Sequence, residues 1–208
     1  MPIRVREKED VTDCVAVLRQ VHQVTGYPSG WPEDPGGWLT PAGLVAAWVA
    51  EHDGLIVGHV ALVRGARAQC LLQATGGGPD QLGGIARLFV DPAATRQGVA
   101  RALLEAATAE AWARGLQPVL DVVDDSRPAI ALYERSGWKL AGTQTATWTT
   151  PAGVSPMLRY YVGPFAGDDR PLPQAGQPGL DLCGVGVLEV VEDGQSLPPG
   201  IVRRFAVA

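Results

Sequence analysis

The chain has 208 residues, 46% of them apolar and 19% charged, with a formal net charge of −5 and a pI near 5.2. That balance describes a globular domain with a substantial core and excludes a disordered chain. The acidic charge argues against non-specific binding to nucleic acid or to an anionic membrane surface, while leaving room for a local basic spot that takes a phosphate.

The first residues, MPIRVREKEDVTDCV, are charged and hold no apolar run of the kind a secretory signal needs. No stretch reaches the length of a membrane-spanning helix, so a cytoplasmic location is expected. Cys14, Cys70 and Cys183 are odd in number and widely spaced, and no CxxC is present. His22, His52 and His59 do not form a ligand spacing with one another or with the cysteines, so no metal is expected.

In chain order, Pro2–Arg6 alternates apolar and charged residues as a half-buried strand does. Thr12 or Asp13 is placed to cap a helix carrying Val17, Leu18, Val21 and Val24, which Gly26 ends. Tyr27–Pro41 combines proline, glycine and the aromatics Tyr27, Trp31 and Trp38, and reads as a loop without regular helix or central strand. It either covers the core or walls a binding cleft, with Glu33 and Asp34 as contacts for a cationic group. Ala46–Glu51 and Leu55–Arg64 flank His52-Asp53-Gly54, a strong hairpin signal. Gly65–Gly84 carries little pattern.

Leu88-Phe89-Val90 is a strand, Asp91-Pro92 a turn, and a helix runs from about Gly98 to Arg114. The loop Thr95–Ala100 supplies small residues where that helix begins. A helix start leaves N–H groups unpaired and carries partial positive charge, so Gln97, Gly98, Val99 and Ala100, with Arg96 and Arg101 beside them, form a credible cradle for a phosphate or pyrophosphate. Pro118–Val123 is the next strand, parallel to the first through a right-handed crossover. Asp124-Asp125-Ser126 opens a short helix with Pro128 near its start, stopped by Gly137; Trp138–Trp148 and Met157–Val162 are further strands. After Pro164 the chain becomes rich in proline and glycine. Val185–Val191 and Ile201–Val207 then alternate as a terminal hairpin, which is open to extending the sheet, packing on the domain or forming a homodimer.

The stretches LFVDPAATRQGVARALL and AIALYERSGWKLAGT, in this order and spacing, resemble the GNAT-type N-acetyltransferase superfamily over about Pro2 to Gly163. The resemblance implies a mixed α/β domain with a mostly antiparallel central sheet, spanning residues 1–166, followed by a C-terminal extension over 167–208. It also implies transfer of an acetyl group from acetyl-CoA to a primary amine, small or peptidic, by direct attack in a ternary complex. The alternatives are a non-catalytic acyl-CoA sensor and an interaction module.

On this resemblance Leu88, Phe89 and Val90 pair their backbone with the pantetheine arm. Arg96, Gln97, Gly98, Val99, Ala100 and Arg101 hold the pyrophosphate. Ser126 stands where an asparagine is usual, and Tyr133 is the acid that protonates the leaving thiolate. Thr95 replaces the usual first residue of the phosphate loop. The carboxylate that many members place early on the fourth strand falls at Gly84, so the general base is open among Glu33, Asp34, Glu51, His59 and a water chain.

Overall fold

A computed structural model of the protein describes residues 1–66 and 68–165. Its centre is a sheet of seven strands: β1 (Ile3–Val5), β2 (Leu44–His52), β3 (Leu55–Arg64), β4 (Leu82–Val90), β5 (Gln117–Val123), β6 (Lys139–Thr145) and β7 (Met157–Val162). The spatial order is β1-β2-β3-β4-β5-β7-β6, and every neighbouring pair is antiparallel except β4 with β5. Helices α1 (Val11–Thr25), α2 (Pro35–Leu39), α3 (Gln69–Thr75), α4 (Val99–Ala113) and α5 (Arg127–Arg135) complete the described chain. This is the mixed architecture expected.

Two apolar layers sandwich the sheet. One gathers Cys14, Val17, Leu18 and Val21 of α1, Leu39 of α2, Leu71 of α3 and the sheet residues Val49, Phe89 and Val119. The other gathers Leu103, Leu104, Ala107 and Ala111 of α4, Ile130 and Tyr133 of α5, and Val60, Leu88, Leu120 and Val122 from the sheet. Alternate residues of β4 and β5 thus face opposite layers, as strand geometry requires.

Several local signals act as expected. Asp53 and Gly54 both take positive φ (50° and 77°), the tight two-residue turn whose twist matches that of β2 and β3. Gly26 closes α1 in the left-handed conformation, its N–H donating to the His22 carbonyl.

Four expectations change. α1 begins two residues earlier than a Thr12 cap would set and three earlier than an Asp13 cap: Asp10 is its N-cap residue, yet caps no helix amide. The Asp10 carboxylate is instead held by the Arg4 guanidinium (2.6 and 2.8 Å) and the Glu7 amide (2.6 Å). The aromatic loop contains α2, because Pro35 fits the first helical turn and Asp34 accepts from the Gly37 amide at 2.9 Å. α3 forms in the pattern-poor stretch by burying Cys70 and Leu71, and β4 extends back through Gly83 and Gly84. β6 stops at Thr145, short of Trp148. The expected hairpin over Val185–Val191 and Ile201–Val207, and the boundary near residue 166, lie outside the described residues.

One close approach sets the distance between α4 and the sheet. Gly58 of β3 is buried, and a Cβ there would lie 2.9 Å from Leu103 Cδ1 and 3.2 Å from the Phe89 carbonyl oxygen. Gly58→Ala is therefore expected to lower stability by about 1–3 kcal/mol, the usual range for overpacking. Urea unfolding with an unchanged m-value would register it; a neutral midpoint would contradict it.

Candidate functional site

Strands β4 and β5 run parallel for only three pairs: Leu82 with Gln117, Gly83 with Pro118 and Gly84 with Val119. β4 continues to Val90 and β5 to Val123 without further pairing between them. On its other side β4 still pairs with β3, but the ladder slips between His59 and Ala61, so Arg87 and Leu88 together oppose Val60. Arg87 takes φ 55° at this bulge. Left-handed backbone costs a non-glycine residue about 1–2 kcal/mol, so other contacts must hold it there. The outcome is a wedge between two strands, with the backbone of Leu88, Phe89 and Val90 along one wall.

Past the end of β4, Asp91 accepts from the Ala93 amide at 2.8 Å and shapes the turn. Arg96 (φ 61°) and Gly98 (φ 80°) are both left-handed, and Gly98 is the N-cap of α4 with no side-chain cap. The start of α4 therefore leaves its first amides for an outside acceptor. Nothing lies within 4 Å of where a Gly98 Cβ would stand. Arg96, Gln97 and Gly98 are exposed, Ala100 is half-buried, and Val99 is buried as an anchor. Arg101 gives its guanidinium to Glu105 at 2.8 Å, so its backbone is better placed than its side chain to serve an anion.

The expected residues divide by layer. Leu88, Val99 and Tyr133 share the α4–α5 layer, and Val90 packs against it. Phe89 points the other way and stacks on His59 with ring centroids 5.2 Å apart, so only its backbone can line the wedge. Ser126 is the N-cap residue of α5 and makes no side-chain cap bond.

Tyr133 is fully buried, with Trp138 and Tyr161 rings 6.1 and 6.0 Å from its own. Its hydroxyl has no hydrogen-bond partner among the described residues. Burial, then the fields of Tyr27, Asp121 and Tyr161, push its pKa well above the ordinary tyrosine value. The group is a proton donor at any physiological pH. Asp121 of β5, half-buried, has its carboxyl pushed up to about 7 by desolvation. It acts electrostatically on Tyr133 and on Tyr27, whose own buried hydroxyl is also without a partner among the described residues. Asp121 was not among the residues expected here. Its only mark in the sequence is a lone carboxylate inside the apolar run PVLDVV.

Residues 17–138 match the family described as "Acetyltransferase (GNAT) family". The chain belongs to the GNAT acetyltransferase family. It is 34% identical over 102 residues to the mycothiol acetyltransferase of Geodermatophilus obscurus, an alignment covering 49% of this chain and 30% of that protein. The chain spans about a third of the length of the curated relatives it matches. Among solved structures, the fold is similar to the ribosomal-protein-S18-alanine N-acetyltransferase of Escherichia coli, with TM-score 0.60, 20% identity, and 82% and 99% of the two chains covered. It is also similar to Arabidopsis thaliana NAA60 in complex with acetyl-CoA, with TM-score 0.60, 18% identity, and 77% and 96% covered.

In this GNAT chain three of the four side chains weighed as general base are otherwise engaged. Glu51 binds Arg4 at 2.9 Å on β2, with β3 between it and β4. Asp34 caps α2, and Glu33 is exposed. His59 is fully buried and both ring nitrogens are committed. Arg6 Nη1 donates to its Nε2 at 3.1 Å, so Nδ1 carries the hydrogen and donates to the Arg87 carbonyl at 3.0 Å. Desolvation lowers the His59 pKa to about 3, with Arg6 and Arg87 adding repulsion. The same side of the sheet holds the Arg87 guanidinium, 3% exposed and 5.0 Å from the Trp38 ring centroid.

The His59 shift has a sign that stability measurements can read. The unfolded state binds a proton near pH 6.5 while the folded state refuses it until about 3. Its contribution is therefore complete above pH 6.5 and is lost as pH falls towards 3. His59→Gln removes that dependence. The variant's deficit against the parent is expected to shrink by about 1.4 kcal/mol per pH unit between pH 6 and 4 in chemical denaturation. A deficit independent of pH would show that His59 already titrates normally.

Proposed function

We propose that the protein is an acetyl-CoA-dependent N-acetyltransferase that moves an acetyl group to a primary amine by direct attack, with Tyr133 as acid and Asp121 as base. The observation that carries this reading is the wedge between β4 and β5. It has free strand backbone on one wall, an uncapped helix start at its end, and Tyr133 in the field of Asp121. Family membership and the acetyl-CoA complex of a protein with this fold support the choice of donor.

Acetyl-CoA supplies the activated thioester; everything else is the work of this chain. The amides of Gln97, Gly98, Val99 and Ala100, with Arg96 beside them, hold the pyrophosphate through the helix-start field. Ser126, its hydroxyl not used as a cap, contacts the same donor. The backbone of Leu88, Phe89 and Val90 takes the pantetheine arm as a further strand would be taken. One N–H of that stretch faces the negative charge that develops on the carbonyl oxygen.

An alkyl ammonium cannot attack, because its nitrogen lone pair carries a proton. Asp121 takes that proton, and a carboxyl near 7 is well matched to the task at neutral pH. As the nitrogen bonds to the acetyl carbon and the C–S bond breaks, Tyr133 O–H, kept protonated by burial, gives its proton to the departing sulfur, and the second proton of the nitrogen restores the phenol. In this reading residues 1–166 form the catalytic domain, residues 167–208 are an appendage to it, and the protein works in the cytoplasm.

Thiol release from acetyl-CoA in the presence of amines tests the proposal. Tyr133→Phe is expected to lower kcat by about 10²–10⁴ while acetyl-CoA still raises the melting temperature. Equal turnover would remove Tyr133 from the mechanism. The base must be ionised to act, so kcat/KM should climb with pH through about 7, and Asp121→Asn should abolish that limb and lower the plateau by about 10² or more. An unchanged pH profile in Asp121→Asn would assign the base elsewhere.

A further inference from the structure

Tyr133 has to deliver a proton to a defined place, yet its hydroxyl has no hydrogen-bond partner among the described residues. Its oxygen therefore stands where the ring and the helix beneath it put it. The ring packs against Trp138 and Tyr161, with centroids 6.1 and 6.0 Å away. The Tyr133 carbonyl accepts from the Trp138 amide at 3.0 Å. The helix is α5, which has nine residues and no side-chain cap at Ser126. A helix that short is not stable by itself and takes its place from what it packs against.

β7 ties α5 to the sheet at both ends. Ahead of the helix, the Asp124 amide donates to the Met157 carbonyl at 2.8 Å, and the Asp124 carboxylate pairs with the Arg159 guanidinium. In the last turn, Glu134 Oε1 accepts from the Tyr161 hydroxyl at 3.0 Å. Arg159 and Tyr161 are two residues apart on one strand, so their side chains leave the same face of the sheet. On that face Tyr161 shares the α4–α5 layer with Tyr133. The Arg159 guanidinium also acts on the Tyr161 hydroxyl, so one cation serves both ties.

Tyr161 is fully buried, and packing alone does not call for its hydroxyl, since a phenylalanine fills nearly the same volume. What the hydroxyl adds is a bond to the residue directly after Tyr133. Rotation or sliding of α5 at that turn would carry the acid with it. We propose that Tyr161, through its bond to Glu134, is a positioning residue for the transfer: it fixes the turn of α5 that carries Tyr133, so that the phenol oxygen meets the departing sulfur. This rests on the reading of Tyr133 as the acid and adds what aims it. A reacting group displaced by about 1 Å costs on the order of 10² in rate, and loss of the one bond should cost part of that.

The test is a double-mutant cycle read by thiol release from acetyl-CoA, with butylamine, spermidine and alanyl-alanine as acceptor probes. Tyr161→Phe is expected to lower kcat about tenfold with KM for acetyl-CoA unchanged. Glu134 is exposed, so Glu134→Leu breaks the same bond without touching the core, and it should give the same loss. The two together should lose no more than either alone, and Glu134→Gln, which keeps an acceptor oxygen, should recover most of the rate. In a Tyr133→Phe background, Tyr161→Phe should cost nothing further, because the group it aims is gone. A bond that serves stability alone would lower the melting temperature and leave kcat as it was. That result, or the tenfold loss repeated in the Tyr133→Phe background, would overturn the positioning role and leave Tyr133 as acid. Full turnover by Tyr133→Phe, or bound acetyl-CoA with no thiol release to any probe, would overturn the mechanism above and this inference with it.

Discussion

The parting of β4 from β5 after Gly84 and Val119 is the constraint on which the rest of the molecule depends. Two parallel strands that begin as neighbours and then separate expose backbone donors and acceptors inside the domain. Such groups must be satisfied, and protein side chains do so poorly over a whole strand length. Here the bulge at Arg87 turns β4 away, β3 follows it, and β5 stays with β7. The sheet is thus two smaller sheets hinged on three residue pairs. The chain then sends α4 off the end of β4, which brings an unsatisfied helix start to the mouth of the opening. Open strand backbone and positive field arise from one topological choice.

The two layers flanking this opening have different chemistry. The α4–α5 layer is mostly apolar around Tyr133, and that surrounding keeps its phenol protonated. The α1–α2 layer encloses two guanidinium groups and an imidazole. Burying such groups is unfavourable unless each finds hydrogen bonds or an aromatic face. Arg6 meets the requirement by tying β1 to the end of α2, and His59 by joining Arg6 to the bulge carbonyl. These bonds also give the left-handed Arg87 a reason to persist, since His59 grips its carbonyl oxygen. Buried polarity and backbone strain are therefore parts of one network.

Much of this was legible in the sequence where a feature is local. Asp53-Gly54 demands its turn, the small Gly98 stands where α4 begins, and MLRYYV reads as a strand. The order of LFVDPAATRQGVARALL and AIALYERSGW carried the family. Features decided by distant contacts were not legible. α3 has no periodicity to speak of and exists because Cys70 and Leu71 find a place over β6 and β7. Glu51 looked available until Arg4, far away in sequence, claimed it. Asp121 stood in plain view inside a Leu/Val strand, but its significance lies in the company of Tyr27 and Tyr133, which only the fold assembles. Arg87 directly precedes Leu88-Phe89-Val90, and nothing local in the sequence signals the bulge at which it is buried.

The shifted carboxyl of Asp121 has a thermodynamic counterpart on the other side of the sheet. Between about pH 4 and 6.5 folding takes up a proton at Asp121, because the native carboxyl holds it up to about 7. Over the same range folding gives up a proton at His59, which the native state keeps neutral down to about 3. One uptake and one release leave the net exchange from these two groups close to zero. A fold can raise the pKa of one carboxyl without making its stability drift with acidity, provided a second group is shifted the opposite way. In this protein His59 is the group that provides the balance.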